Sequence, residues 1–299
     1  MPDRAAGRRL PQQAGRAGPR GVTRQVMRAR SGRLAIAALA AALLSPWPAP
    51  AAAPSCTPPA DDAVERVSIA DTRRGGETAA VTGYLLKPPG AGPFPAVVLL
   101  HGSGGHQPGY LCIAEKLAGW GYVALAIDSN STPSTDRLYA MGGFLDTEQA
   151  QDAHRGRRLL ASRPYVDGDR IGVIGWSAGG QATLTAVSSH RTFANGKWHG
   201  VDRDGAFAAA VAVYPVCHAA LEDLDAPLLI LIGANDTSVS ATYCAAMART
   251  SRSDVDIELK IYPDAVHGFD GPWAGWTAGT AVALDARRRI KAFFDRHLN

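Results

Sequence analysis

With 299 residues, the chain is long enough for one large domain or two small ones, and it carries 31 lysines and arginines against 27 aspartates and glutamates. The basic excess sits at the front: nine arginines and one aspartate precede Pro54, leaving 22 basic and 26 acidic residues behind them, a balance of about −4. That balance removes the compositional support for nucleic-acid binding, and no stretch after the leader reads as a membrane span.

Residues 1–53 read as a leader. Arginines precede an unbroken apolar run from Leu34 to Leu44, and Pro46-Trp47-Pro48 and the small residues Ala49 to Ala53 follow it. A charged start, an apolar centre and a small-residue end make the layout of a secretory signal, with cleavage expected after Ala51 or Ala53. The apolar run is short for a bilayer, which weighs against a stable membrane anchor. Met27 opens a segment that is itself a normal charged start, so translation is expected to begin there. Arg8-Arg9 lies too far from the apolar run for a twin-arginine signal. The remaining residues, 54–299, are expected to form one domain exported to the periplasm or beyond.

Val64–Ala70 and Ala79–Lys87 read as edge strands. Pro95 to Leu100 is a continuous apolar run of the buried parallel type, ending in His101-Gly102-Ser103-Gly104-Gly105. Tyr110–Trp120 has helical spacing, and Tyr122–Asp128 returns as a strand. Ser129–Asp136, rich in Ser, Thr and Pro, is a loop able to line a pocket. Thr147–Ser162 reads as a helix, and Asp167-Gly168-Asp169 as a turn into the strand that starts at Ile171. Phe193–Gly205, which holds Trp198 and His199, reads as irregular. Strands follow at Ala206–Tyr214, Leu228–Gly233 and Ile257–Tyr262, with helices over Val239–Thr250 and Thr277–Leu298. Alternating strands and helices predict an α/β fold: a mostly parallel sheet with helices on both faces and a ligand crevice at the strands' carboxyl ends.

The chemistry gathers around Gly175-Trp176-Ser177-Ala178-Gly179. Here Gly-x-Ser-x-Gly stands between a strand-like run and a helix-like segment, the context of a nucleophile elbow. Serine needs a base, a group to orient that base, and donors for an oxyanion. Asp236 follows the strand ending at Gly233, and His267 follows the strand ending at Tyr262. Both fall at carboxyl ends, and the order Ser, Asp, His is that of α/β-hydrolases. The glycine-rich loop after Leu100 is the natural second oxyanion donor, so the two N–H groups are assigned to Ser103 and Ala178. The loop is not followed by Gly-Lys-Ser/Thr, and no dinucleotide fingerprint stands at the first strand. His101 is expected to bond local backbone. His106, Trp176 and Trp198 are expected at the substrate, with Tyr139 and Phe144 as further wall residues. His154, His190, His218 and His297 read as surface or helix-end residues.

Four cysteines, Cys56, Cys112, Cys217 and Cys244, permit three pairings. Cys217 lies beyond one strand and Cys244 in the helix after the next, which favours Cys217–Cys244 and leaves Cys56–Cys112. No Cys-x-x-Cys points to a metal.

From Val97-Val98-Leu99-Leu100-His101-Gly102-Ser103-Gly104-Gly105 through Gly175-Trp176-Ser177, Tyr214-Pro215-Val216-Cys217, Gly233-Ala234-Asn235-Asp236 and His267-Gly268-Phe269, the chain resembles the dienelactone hydrolase family of α/β-hydrolases, especially its exported branch. The resemblance implies the triad Ser177, Asp236 and His267 and no metal or organic cofactor. The enzymes that named the family carry a cysteine nucleophile. Serine here implies an ordinary small-molecule carboxylic ester instead of a dienelactone. The elbow also differs from the Gly-His-Ser-Met-Gly of cutinase-like polyester hydrolases, so no polymer-degrading activity is expected. A peptidase or amidase on the same triad and a non-catalytic binding protein are the rival readings. The oligomeric state is open.

Overall fold

The computed structural model describes residues 56–72, 78–131, 145–188, 192–194, 197–199, 201, 203, 205–217, 221, 224–251 and 254–299. The expected leader, most of the loop Ser129–Asp136, His190, His218, Tyr139 and Phe144 lie outside them.

Eight strands form one sheet in the order β1-β2-β4-β3-β5-β8-β9-β10. β1 (Glu65–Thr72) and β2 (Thr78–Leu86) make an antiparallel edge, and β2 runs antiparallel to β4 (Val123–Asp128). From there the sheet is parallel through β3 (Phe94–Leu100), β5 (Val166–Trp176), β8 (Ala209–Val213), β9 (Leu228–Gly233) and β10 (Ile257–Tyr262). The central strands β8 and β9 are buried along their whole length, as is β3 from Pro95 onward. This is the burial expected of strands covered on both faces and explains their unbroken apolar runs. The chain leaves β3 towards β4 on one side and later returns to β5 on the other. The carboxyl ends of β3 and β5 are therefore adjacent where the winding reverses, which is where ligands bind in such sheets.

Helices connect the strands: α1 (Pro108–Gly119), α2 (Leu145–Ala161), α3 (Ala178–Ala186), α4 (Ala241–Thr250) and α5 (Ala281–Leu298). α1 opens on a proline, whose missing N–H is no loss in the first turn. α4 and α5 are capped by Ser240 and Thr280, whose hydroxyls accept from the Tyr243 and Ala283 N–H groups at 3.3 and 3.2 Å. α5 buries Ala283, Ala286, Ile290, Phe293, Phe294 and Leu298, the apolar stripe of an amphipathic helix. Among the described residues no helix is long and apolar enough to cross a membrane.

Three expectations need correction. The segment read as irregular after residue 192 contains a small antiparallel pair, β6 (Thr192–Ala194) with β7 (Lys197–His199). The sequence between them is Asn-Gly, the dipeptide that two-residue hairpin loops favour. The turn expected at Asp167-Gly168-Asp169 lies inside β5, where pairing with β3 shifts register between Phe94 and Ala96. His154 is not at the surface: it is buried, with Nε2 2.9 Å from the Ala186 carbonyl. Burial lowers its pKa to about 4.

Cys56 is bonded to Cys112 in α1, and Cys217 to Cys244 in α4. The second bridge joins the segment after β8 to the helix after β9, two neighbouring strands of the sheet.

Candidate active site

β5 ends at Trp176 and α3 begins at Ala178, so Ser177 alone makes the turn between them. Its backbone sits at φ 54° and ψ −114°, a conformation disfavoured for any residue with a Cβ. Its N–H donates to the Val213 carbonyl at 2.9 Å, which ties the turn to the end of β8. The turn closes only because its neighbours are small. A Cβ on Gly175 would lie 2.0 Å from the Gly179 carbonyl oxygen, and one on Gly179 would lie 2.3 Å from that of Leu100. The elbow thus rests directly on the end of β3.

Ser177 Oγ lies 3.0 Å from Nε2 of His267, and Nδ1 of His267 lies 2.7 Å from Oδ2 of Asp236. The Asp236 side chain is fully shielded from solvent. Its other oxygen, Oδ1, accepts the backbone N–H groups of Ser238 and Val239 at 2.8 and 3.0 Å. One oxygen is thereby fixed by the loop, and the other is presented to the imidazole. Three residues that span 90 positions of chain thus share one hydrogen-bonded line.

Ala178 supplies the first N–H of α3, a position with no carbonyl of a preceding turn to receive it. Across from it runs the loop after β3. The Tyr110 hydroxyl accepts the Gly102 N–H at 3.0 Å, and Gln149 Nε2 donates to the His101 carbonyl at 3.1 Å. His101 Nδ1 lies 2.8 Å from the Gly102 carbonyl oxygen, the local backbone contact anticipated for it. These contacts hold the chain on either side of the peptide that leads to Ser103.

A cavity of about 150 Å3 opens over Ser177 and His267, walled by Gly102, Ser103, Tyr110, Trp176, Tyr214, Pro272 and Trp273. Trp273 is half exposed at its rim, and the other aromatic walls are buried. A larger hollow lies beyond Asp236, around Cys217 and Tyr243, and does not include Ser177 or His267.

Of the residues expected at the substrate, Trp176 lines the cavity. His106 does not: its ring stacks on Tyr84 at 4.7 Å and tilts against Tyr110 at 5.8 Å. Burial lowers its pKa to about 4. Trp198 pairs with Phe193 in the small hairpin, and its side chain lies outside the described residues. Sequence reasoning missed Tyr110, Tyr214, Pro272 and Trp273. Tyr110 carries no sequence signal beyond the start of a helix. Tyr214 stands in the sequence only as a strand end and as part of the Tyr214-Pro215-Val216-Cys217 stretch of the family resemblance. Gly271-Pro272-Trp273 carried a turn signal that could have marked a wall.

A profile of the dienelactone hydrolase family matches residues 81–298. The chain is 27% identical over 225 residues to a Yersinia pestis protein named as a candidate carboxymethylenebutenolidase, covering 72% of this chain and 83% of that one. It is 32% identical over 198 residues to bis(hydroxyethyl) terephthalate hydrolase of Streptomyces coelicolor, covering 56% and 58%. Among solved structures, the dienelactone hydrolase of Anabaena variabilis superposes with a TM-score of 0.57 at 19% identity, over 79% of this chain and all of that one. At such identity the superposition speaks for the fold, the α/β-hydrolase sheet described above. The family profile spans β2 to the end of α5 and takes in Ser177, Asp236 and His267, and the chain belongs to the dienelactone hydrolase family.

Proposed function

We propose that this hydrolase cleaves carboxylic esters of small molecules through a covalent acyl-enzyme on Ser177. The observation that carries the proposal is the continuous line from Ser177 Oγ through the two nitrogens of His267 to Asp236. In that line His267 Nε2 takes the Ser177 proton as Oγ attacks the ester carbon. Asp236 accepts from Nδ1, which keeps Nε2 as the basic nitrogen and stabilises the imidazolium as it forms. The carbonyl oxygen, now anionic, turns towards the N–H groups of Ala178 and Ser103, where fixed dipoles stabilise charge without reorganising. The imidazolium then protonates the leaving alkoxide. Water enters, gives its proton to the same nitrogen, and releases the acid.

The cavity bounds the acyl group. A dry apolar cavity of about 150 Å3 holds one benzene ring, and the aromatic walls over Ser177 match that size. A short aliphatic acyl group or a single ring is the expected occupant. The two disulfides and the expected leader favour an exported protein, since such bridges persist in oxidising compartments.

Hydrolysis of p-nitrophenyl esters of rising acyl length tests the reading, with Ser177→Ala as control. Turnover by the parent that falls with chain length and vanishes in the variant is expected. Equal turnover by parent and variant would reject it.

A further inference from the structure

One carboxyl group beside this site has no part in the steps above. Asp270 stands three residues after His267 and has no exposure to solvent. Its Oδ1 accepts the Tyr214 hydroxyl at 2.7 Å, and its Oδ2 accepts the indole N–H groups of Trp176 and Trp276 at 2.7 and 2.9 Å. Three convergent donors are what a carboxyl group needs to stay in an interior, and none of the three is a cation. An ordinary buried acid would be matched by an arginine or lysine. This one is hydrogen-bonded by three aromatic side chains, of which Trp176 and Tyr214 line the cavity, and Arg287 adds a charge interaction.

The donors come from three separate pieces of chain. Trp176 ends β5 and immediately precedes Ser177. Tyr214 follows β8, and its ring centre lies 4.7 Å from that of His267. Trp276 closes the turn that carries the cavity walls Pro272 and Trp273, and its ring packs edge-on against Trp176 at 5.7 Å. Among the described residues, the non-glycine positions with positive φ are Ser177 at 54°, Tyr214 at 37° and Trp276 at 60°. Two of these donate to Asp270, and the third is next in the chain to a donor. Backbone held in such conformations persists only where its surroundings over-determine it. Here the same buried carboxyl group holds two of the strained points directly and reaches the third through Trp176.

We propose that Asp270 is a positioning residue for catalysis, holding the nucleophile elbow, the ring beside His267 and the cavity wall in one register through Trp176, Tyr214 and Trp276. The proposal rests on the Ser177–His267–Asp236 reading. It adds a prediction that reading does not make: losing a side chain that touches neither substrate nor triad slows the chemical step. Two roles are thereby separated. A merely structural carboxyl group would cost stability and leave the folded fraction fully active. A positioning group changes turnover in molecules that are still folded.

Asp270→Asn is the first test, since it keeps shape but offers an acceptor on one side only. The amide oxygen is expected to face the two indoles, which can only donate, and the NH2 then donates to the Tyr214 hydroxyl, whose own proton loses its acceptor. At a temperature well below its melting point, its kcat on p-nitrophenyl acetate should fall about 30- to 100-fold, as a misplacement of about an ångström does, with KM changed less than about threefold. The rate at which a fluorophosphonate labels Ser177 should fall in parallel. That readout needs no ester turnover, so it tests Asp270 even if the ester reading fails. Wild-type labelling without hydrolysis of any ester would count against the ester reading alone. If Asp270→Asn does not fold, Tyr214→Phe takes its place. It keeps the ring beside His267 and removes one of the three hydrogen bonds, and a fall of about tenfold in kcat and in labelling rate is expected. A folded Asp270→Asn with lowered melting temperature but kcat and labelling within about twofold of wild type would overturn the proposal. So would an unaffected Tyr214→Phe where Asp270→Asn cannot be made.

Discussion

Asp236 divides its two oxygens between different tasks: Oδ2 faces Nδ1 of His267 at 2.7 Å, while Oδ1 is held by the N–H groups of Ser238 and Val239. Asp236→Asn should therefore preserve the loop, because the amide oxygen can still accept both backbone donors. The amide NH2 would then face Nδ1 and force the imidazole proton onto Nε2, the nitrogen that has to be basic. We expect a fall in kcat of about 10^4-fold with little change in melting temperature, the pattern of a wrong tautomer in an intact site. Steady-state kinetics together with circular dichroism check it. A loss of secondary structure would mean instead that the carboxylate's charge holds the loop.

The elbow should be intolerant of one methyl group. In Gly179→Ala the new Cβ would meet the Leu100 carbonyl oxygen at 2.3 Å, a backbone atom that cannot swing away. Pushing α3 off β3 should cost about 1–3 kcal/mol, the range for overpacking a close contact. It should also shift Ala178, and with it one expected oxyanion donor. Urea unfolding and the labelling rate of Ser177 should worsen together. Unchanged stability would show that the helix start has room the geometry denies it.

Ser177, Asp236 and His267 could be singled out because each follows the carboxyl end of a strand legible in the sequence, so position along the chain stood in for position in space. The cysteine pairing was legible for a related reason, since neighbouring parallel strands bring their following segments together. Asp270 and Tyr214 were not legible. Their roles come from contacts across 94 and 56 positions of chain, and neither carries a local signal beyond being polar or aromatic. His154 failed in the opposite way: a polar residue in a polar helix pattern packs inward against Phe207 and the Ala186 carbonyl. The small hairpin does carry a local signal, the Asn-Gly between Ala194 and Lys197.

Removing the Cys217–Cys244 bridge should be costly. It closes a loop of 27 residues, and freeing a loop of that size in the unfolded chain is worth about 3–4 kcal/mol in the chain-entropy account. The double variant Cys217→Ala/Cys244→Ala should unfold at markedly lower urea concentration while keeping Ser177 labelling at low temperature, because the bridge lies beyond Asp236 and outside the cavity. A parallel loss of labelling before unfolding would tie the bridge to the placement of Asp236.

The buried histidines should make stability fall in mild acid. His106 and His154 both titrate at about 4 in the folded chain, because burial disfavours the imidazolium, against 6.5 for an unhindered ring. Below pH 6.5 the unfolded chain therefore binds protons that the folded chain refuses. Each ring then removes up to about 1.4 kcal/mol of stability per pH unit until the folded pKa is reached. The loss is confined to the window from 6.5 down to about 4, and above it neither ring contributes a slope. His106→Phe isolates one of them. A phenyl ring can still stack between Tyr84 and Tyr110, and it removes a buried Nε2 that has no hydrogen-bond partner among the described residues. At about pH 7 the variant should be at least as stable as wild type, and between about pH 6 and 4.5 its stability should fall with a visibly shallower slope. Ester turnover reports on the other reading of this residue. Because His106 does not line the cavity, KM should stay within about twofold. A several-fold rise in KM with the flatter pH slope intact would place the ring at the substrate, the place its position beside the glycine-rich loop predicts.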